Sequence, residues 1–346
     1  MPEFDAYQTI FEDIKKRLDD PSVIYTLHDN IKKFDPIPSD ITVIDEVLNG
    51  GLPEGRIIEI YGPEASGKTT LTLHFIAAAQ RRGYVVYFID AEQSLDTTYA
   101  ERIGVQLDKL MFSQPDYGEQ ALDTARAICE ATEAVQEKHK EHKVKSLIVI
   151  DSIPALVPKQ AFDTYEKDGF DSTIALGAAA RMLSRLLPPL VNKAGKSGVT
   201  VVFINQERDK IGVTYGPTTT TPGGRAVKFF ASLRLRVSRI GWYDRFGERA
   251  GIRTQMLPIK SKMFPIFGRK AEFVIGPDGI NQYVAMAETL VTRGLVEKKG
   301  GWYKVDDQSF QGLGRLEDEL RDNVDFRQTM VDRLGDMSSN IDLKKV

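Results

Sequence analysis

The stretch GPEASGKTTL, Gly62–Leu71, lies between an apolar run and a segment rich in helix formers. Gly62, four further residues, then Gly67, Lys68 and Thr69 set the spacing of a phosphate-binding loop, whose glycines let backbone N–H groups turn inward onto a polyphosphate. Upstream, Arg56-Ile57-Ile58-Glu59-Ile60-Tyr61 reads as a buried strand. Downstream, Thr69 to Arg82 reads as a helix, with Leu71, Phe75 and Ala78 or Ala79 at helical spacing before Gly83 ends it. Strand, glycine loop and helix follow in the required order, which favours a nucleoside triphosphate site over a purely structural glycine turn. In that site Gly62, Pro63, Glu64, Ala65, Ser66, Gly67, Lys68, Thr69 and Thr70 cradle the phosphates. The helix N-terminus adds its dipole, Lys68 reaches the β and γ oxygens, and the Thr69 hydroxyl ligates Mg²⁺.

Further strands alternate with helices: Tyr84 to Asp90, Leu147 to Asp151 and Val199 to Asn205 are β-branched and almost wholly apolar. Continuous apolarity implies strands covered on both faces, as in a parallel sheet flanked by helices. Before Pro36, Tyr7, Ile10, Phe11, Ile14 and Leu18 recur at helical intervals and argue an amphipathic helix, packed either on its own core or on a neighbouring subunit. Beyond Gly276-Pro277-Asp278-Gly279 the composition shifts to short, charged pieces, where a small C-terminal domain is expected. The expected divisions are residues 1–36, 37–275, 276–338 and a tail, 339–346. With 346 residues and a formal net charge of -3, any nucleic-acid surface must be a local patch. Cys129 is the single cysteine, which excludes an intramolecular disulfide framework and suits a reducing cytosol. The sequence shows neither a bilayer-spanning apolar run nor a signal peptide, so a soluble, cytoplasmic protein with no membrane partner is expected.

Three polar residues end the core strands, where open parallel sheets place their ligands. Asp151 follows Leu147-Ile148-Val149-Ile150, the position of the acidic residue that supports Mg²⁺ through water; a strand-end aspartate capping the next turn is the alternative. Glu92 ends the strand after the P-loop helix and is placed to polarise water for attack on a γ-phosphate. Gln206 is neutral, a poor base but a reporter whose amide can touch the γ-phosphate, and its chain continues into ERDKIGVTYGPTTTTPGG, residues 207–224. A second long segment, residues 158–172, follows the Asp151 strand. Loops of such length are functional or disordered more often than incidental. Lys210, Tyr215 and Arg225 with Gly223 and Gly224 offer cations, an aromatic face and close backbone approach, the ingredients for clasping single-stranded nucleic acid; an ordinary surface excursion is the other reading.

The segments GLPEGRIIEIYGPEASGKTTLTL, FIDAEQSLD, QPDYGEQAL, VIDSIPALVPK, FINQ, KIGV and GGRAVKFFASLRL resemble the bacterial RecA recombinase family in order and spacing, from about Ile37 to Tyr303. The resemblance implies an α/β P-loop core with a mostly parallel twisted sheet, an N-terminal helical arm for polymerisation and a small α+β C-terminal domain. It implies ATP and Mg²⁺ as cofactors, single-stranded DNA as primary partner, duplex DNA as secondary partner, and a homo-oligomeric helical filament with ATP between protomers in the nucleoid. Lys68 and Thr69 would then bind phosphate and Mg²⁺, Glu92 would activate water, Asp151 would support the metal, and Gln206 would couple the γ-phosphate to the DNA loop. Asp96 and Tyr99 match adenine-contacting positions, Lys260 and Lys262 match a pair that reaches a neighbour's ATP, and Phe229 matches an interface phenylalanine.

Departures fall outside the catalytic set. The N-terminal arm shares little with the family, and the chain ends in Asp342-Leu343-Lys344-Lys345-Val346 rather than in acidic residues; such drift suits a virus- or plasmid-borne relative. Pro188-Pro189 stand where the family has basic residues near the primary DNA site, so a helix there is expected to end or bend, with Arg181 and Arg185 taking over phosphate contact. Thr254 to Pro258, with Gln255 and Leu257, replaces a basic stretch of the second DNA site. In its place, a hairpin over Gly241 to Arg253, turning at Gly247 and Gly251, offers Arg239, Arg245, Arg249 and Arg253 with Trp242, Tyr243 and Phe246; a solvated turn with its aromatics packed on the core is the other reading. A ring-shaped helicase of the same fold, or an ATP-clamped scaffold on single-stranded DNA, are the competing functions.

Overall fold

The computed structural model describes residues 5–20, 24, 35–168, 177–209 and 218–339. It divides the chain into two units, Met1–Asp35 and Pro36–Val346. The first holds α1 (Ala6–Arg17), whose N-terminus is capped by Asp5 Oδ1 accepting from Gln8 N at 3.2 Å. Its four-residue spacing stacks Tyr7 on Phe11, with ring centroids 6.0 Å apart.

The second unit runs β1 (Pro36–Ile37), α2 (Thr42–Val47), β2 (Leu52–Pro53), β3 (Ile57–Gly62), α3 (Lys68–Arg81), β4 (Val85–Asp90), α4 (Thr97–Ile103) and β5 (Leu110–Ser113). There follow α5 (Gly118–Lys138), β6 (Ser146–Asp151), α6 (Lys159–Asp168), α7 (Ala178–Ser197), β7 (Thr200–Gln206), β8 (Arg208–Asp209), β9 (Thr219–Thr220) and α8 (Ala226–Phe230). The rest is β10 (Leu233–Arg245), β11 (Glu248–Ser261), β12 (Ala271–Gly276), β13 (Gly279–Ile280), α9 (Gln282–Thr292), β14 (Glu297–Lys299), β15 (Trp302–Val305), β16 (Gln308–Gln311), α10 (Leu313–Asp322) and α11 (Val324–Ser339).

Nine strands form the main sheet in the order β13-β12-β11-β10-β3-β7-β6-β4-β5. From β10 to β5 every neighbouring pair is parallel, which is what the continuous apolar runs predict. The β10–β13 edge is antiparallel, an extension that the apolar runs do not signal. Strand alternation sends Ile58 and Ile60 to one face, with Leu71 and Phe75 of α3, and Ile57 to the other, with Leu183 and Leu187 of α7. Because β3 lies inside the sheet, the C-terminal ends of β3, β4, β6 and β7 share one edge of the core. A separate apolar cluster, including Leu290, Tyr303, Leu316 and Leu320, unites α9, the three-stranded β14-β15-β16 sheet and α10. The main sheet continues through β13, so the expected division after residue 275 falls inside β12, one residue before its end.

Two local expectations are corrected. Of the end or bend expected at Pro188 and Pro189, the end does not occur: helix α7 runs through both. Its buried stripe, Leu183, Leu187, Leu190 and Ala194, holds it on the sheet, while the prolines and the flank of Ser184 and Arg185 that loses N–H partners face solvent, where water replaces them. The β10–β11 hairpin turns at Phe246-Gly247, with φ of 53° and 88° closing an Arg245–Glu248 pair. Gly251 is not part of the turn: a Cβ there would lie 2.4 Å from the Ile275 carbonyl oxygen, so glycine is needed for the approach of β12.

Candidate functional site

The phosphate loop joins β3 to α3 through Gly67, which is left-handed at φ 93° and caps the helix. A Cβ on Gly62 would stand 1.8 Å from the Val237 carbonyl oxygen, and one on Gly67 would stand 2.2 Å from Ile275 Cδ1. Both glycines are thus fixed by β10 and β12 pressing on the loop. Lys68 Nζ donates to the Pro63 carbonyl at 2.7 Å, curling back over the loop, and its pKa is lowered by burial. Pro63, Glu64 and Ala65 are exposed, whereas Thr70 is buried.

Strand ends bring the other groups to the loop. Thr69 Oγ1 donates to Asp151 Oδ2 at 3.0 Å, across from β6. Asp151 is buried, and burial, then the Glu92 carboxylate, pushes it up to about 7. Glu92 is tied to the same strand end by its N–H on the Asp151 carbonyl at 3.0 Å. Gln206 Nε2 donates to Glu92 Oε1 at 3.0 Å, and Arg208 Nη2 donates to Gln206 Oε1 at 3.4 Å. Lys68, Thr69, Asp151, Glu92 and Gln206 are therefore one constellation. Ser66 Oγ is buried in the loop and has no hydrogen-bond partner among the described residues. An orphaned hydroxyl, two glycines whose place admits no Cβ, a lysine and a Thr–Asp pair on hard oxygen donors fit a polyphosphate with a divalent cation.

Tyr99 reaches the loop through its hydroxyl, 3.1 Å from Thr70 Oγ1, while Asp96 caps α4 by accepting from Tyr99 N at 2.9 Å. Lys260 and Lys262 are not part of this constellation within one chain. Lys260 Nζ donates to the carbonyls of Lys228 and Phe229 at 2.7 and 2.8 Å, and Lys262 Nζ to that of Phe229 at 3.4 Å, so both cap the C-terminus of α8. Phe229 beside them is 70% exposed.

The nucleic-acid candidates separate into three groups. Arg181 and Arg185 lie on the exposed side of α7, and Arg225 is exposed at the start of α8. Gly223 and Gly224, at φ 87° and 72°, pack on α7: Cβ atoms there would meet Leu183 Cδ1 at 2.9 Å and Ala180 Cβ at 2.8 Å. Lys210 and Tyr215 lie outside the described residues. On the hairpin, Arg239 and Arg249 stand over the half-exposed Trp242 ring at 4.9 and 4.2 Å. Arg245, expected among the DNA contacts, is paired with Asp318 and lies 3.3 Å from Glu317, while the Tyr243 hydroxyl donates to Glu317 at 3.0 Å. Arg253 likewise pairs with Glu288 at 2.7 Å. These three residues dock the hairpin on α9 and α10, leaving only its outer flank for a ligand. The sequence reading passes over Asn205 and Glu59, which tie β7 to β3; the one signal was a glutamate inside an otherwise apolar strand.

The family model of the RecA N-terminal domain matches residues 5–281. The chain is 44% identical over 282 residues to Protein RecA of Tropheryma whipplei, covering 81% of this chain and 61% of that protein. It is 42% identical over 292 residues to Protein RecA of Fusobacterium nucleatum, covering 84% and 73%. With Protein RecA of Aquifex aeolicus it shares 38% identity over 331 residues, 95% of this chain and 90% of that protein. Among the described residues no helix is long and apolar enough to cross a membrane. The similarity spans the phosphate loop, every strand of the main sheet and the Gln206 strand end, and by it the chain belongs to the RecA family.

Proposed function

We propose that this protein is an ATP-dependent DNA recombinase that assembles as a helical filament on single-stranded DNA, pairs it with homologous duplex DNA and exchanges strands. The observation that carries the reading is the 3.0 Å contact between Gln206 and Glu92, which joins the end of the nucleotide site to the strand that leads into residues 207–224. Membership of the RecA family supports the same reading.

ATP with Mg²⁺ supplies the transferable phosphoryl group and neutralises its charge. The residues of the chain divide the remaining work. The backbone N–H groups of residues 64–67 and the Lys68 ammonium would hold the phosphates, and Thr69 with Asp151 would hold the cation. Glu92, exposed at its strand end, takes the proton of the attacking water, and Gln206 sets that carboxylate's orientation. Tyr99 offers a ring to the base, with Asp96 fixing its helix. Lys260 and Lys262 act on the ATP of the next protomer. Residues 158–172 and 207–224, with Arg181, Arg185 and Arg225, form the primary DNA surface, and Arg239, Trp242 and Arg249 offer the second. The setting this implies is the nucleoid of a cytoplasm.

The test is imaging with single-stranded DNA and a non-hydrolysable ATP analogue, together with ATP hydrolysis against DNA length. Helical filaments and length-dependent stimulation are expected. Closed rings of fixed size would assign the chain to a ring motor.

A further inference from the structure

Strands β10, β3 and β7 are neighbours, and Arg234, Glu59 and Asn205 form a polar chain across them. Glu59 is fully buried, with no exposed surface. Its Oε1 accepts from Asn205 Nδ2 at 2.8 Å and its Oε2 from Arg234 Nε, whose guanidinium also lies 4.6 Å from the Tyr61 ring centre. Stability alone does not call for such a chain, because apolar side chains in place of a buried ion pair are commonly as stable. What the chain does is fix Asn205.

Asn205 uses its whole amide. Besides the bond to Glu59, Nδ2 donates to the Pro222 carbonyl at 3.2 Å, and Oδ1 accepts from Gln206 N at 2.9 Å. Pro222 closes the segment that Gln206 opens. Between them Arg208 pairs with Thr220 and Asp209 with Thr219, and Glu207 N donates to the Gly62 carbonyl at 2.9 Å, at the first glycine of the phosphate loop. One side chain thus holds both ends of residues 207–224 beside the amide that touches Glu92.

We infer that Asn205, anchored by Glu59, is a positioning residue: it ties residues 206–209 to residues 219–222 and so holds Gln206 in the contact with Glu92 through which the proposed DNA stimulation passes. This rests on the nucleotide and DNA roles proposed above.

The test is a donor-acceptor exchange. Asn205→Asp keeps an acceptor for Gln206 N, removes the donor to Pro222 and sets a second carboxylate against Glu59. Adding Glu59→Gln restores the inter-strand bond with donor and acceptor exchanged, leaves the Gln amide oxygen to accept from Arg234 Nε, and keeps one carboxylate in the network. The double variant is expected to melt near the parent, bind the ATP analogue with parental affinity and keep DNA-independent turnover, while DNA-stimulated kcat falls at least about tenfold. Amide hydrogen exchange gives a reading without DNA. In the parent, the analogue protects residues 206–209 and 219–221 together with the phosphate loop; in the double variant it protects the loop alone. Parental DNA stimulation together with undivided protection in the double variant overturns the inference. A parent unresponsive to DNA overturns the DNA role instead, and the exchange reading then decides on the tie by itself. If the double variant melts below the assay temperature, Asn205→Ser is read by the same two measurements.

Discussion

Lys68 and His74 share α3, and burial lowers both their pKa values with different consequences. At Lys68 burial lowers the pKa, and the neighbouring Asp151 and Glu92 carboxylates oppose that desolvation. Lys68→Ala leaves the loop without a cation to follow the β and γ oxygens, and kcat for ATP hydrolysis is expected to fall at least about a hundredfold with the melting temperature little changed. Steady-state turnover beside a thermal melt checks this, and near-parental turnover removes the phosphate-loop assignment. His74 is pushed down to about 4 and stays neutral, since its Nε2 accepts from Ile280 N at 2.8 Å. In the unfolded chain it titrates near 6.5. As pH falls from about 6.5 to about 4 the unfolded state gains the proton first, so this group's contribution to stability is lost across that window, by up to about 3 kcal/mol. Half-buried Asp45, raised to about 6, acts in the opposite sense, so the measurement is a difference: His74→Gln keeps an acceptor for Ile280 N and should lose less stability than the parent on acidification. Parallel stability curves for the two proteins would refute the assignment.

The β10–β11 hairpin shows what an element adds to its residues. Its arginines look equivalent in sequence, but Arg245 is committed to Glu317 and Asp318 while Arg239 and Arg249 flank an exposed indole. Arg245→Ala should therefore destabilise the fold by about 1–3 kcal/mol, since it leaves the buried Glu317 without that cation. Arg239→Ala with Arg249→Ala should spare stability and weaken duplex capture, with a shallower salt dependence, because exposed cations release counterions and buried pairs do not. Melting curves and duplex binding against salt separate the pairs; identical behaviour of the two variants would undo the division. Sequence pattern conveys the parallel strands and the phosphate loop because both are local: apolar runs and glycine spacing carry them. It conveys neither the docking of Arg245 on α10 nor the capping of α8 by Lys260, since those partners are distant in the chain. Helix α7 belongs with these cases. Its exposed prolines cost helix propensity that the buried stripe offsets, so Pro188→Ala with Pro189→Ala should raise the melting temperature by a few degrees. An unchanged or lower value would mean that the prolines shape the helix to its groove.

On the scale of the whole molecule, two groups of candidate residues stay apart within one chain. The P-loop constellation carries Lys68, Thr69, Asp151, Glu92 and Gln206. Lys260 and Lys262 instead rest on the carbonyls that end α8, beside exposed Phe229, and have no phosphate-loop partner among the described contacts. If these lysines serve the ATP of the next protomer, the interface is head-to-tail and every active site needs two chains. Lys260→Ala, Lys262→Ala and Lys68→Ala should then each fold and each lose most DNA-stimulated hydrolysis, the first two while still binding ATP. Mixing decides the geometry. In an equal mixture of Lys68→Ala and Lys260→Ala chains, about a quarter of interfaces pair an intact loop with an intact lysine pair, since the two roles are drawn independently from the two populations. Turnover should rise from the level of either variant towards about a quarter of the parental rate, and the rise should require DNA, on which the chains assemble. Mixtures with no more activity than the sum of their parts, from chains shown to assemble together, would place the lysines' role within their own chain and leave α8 capping as what they do.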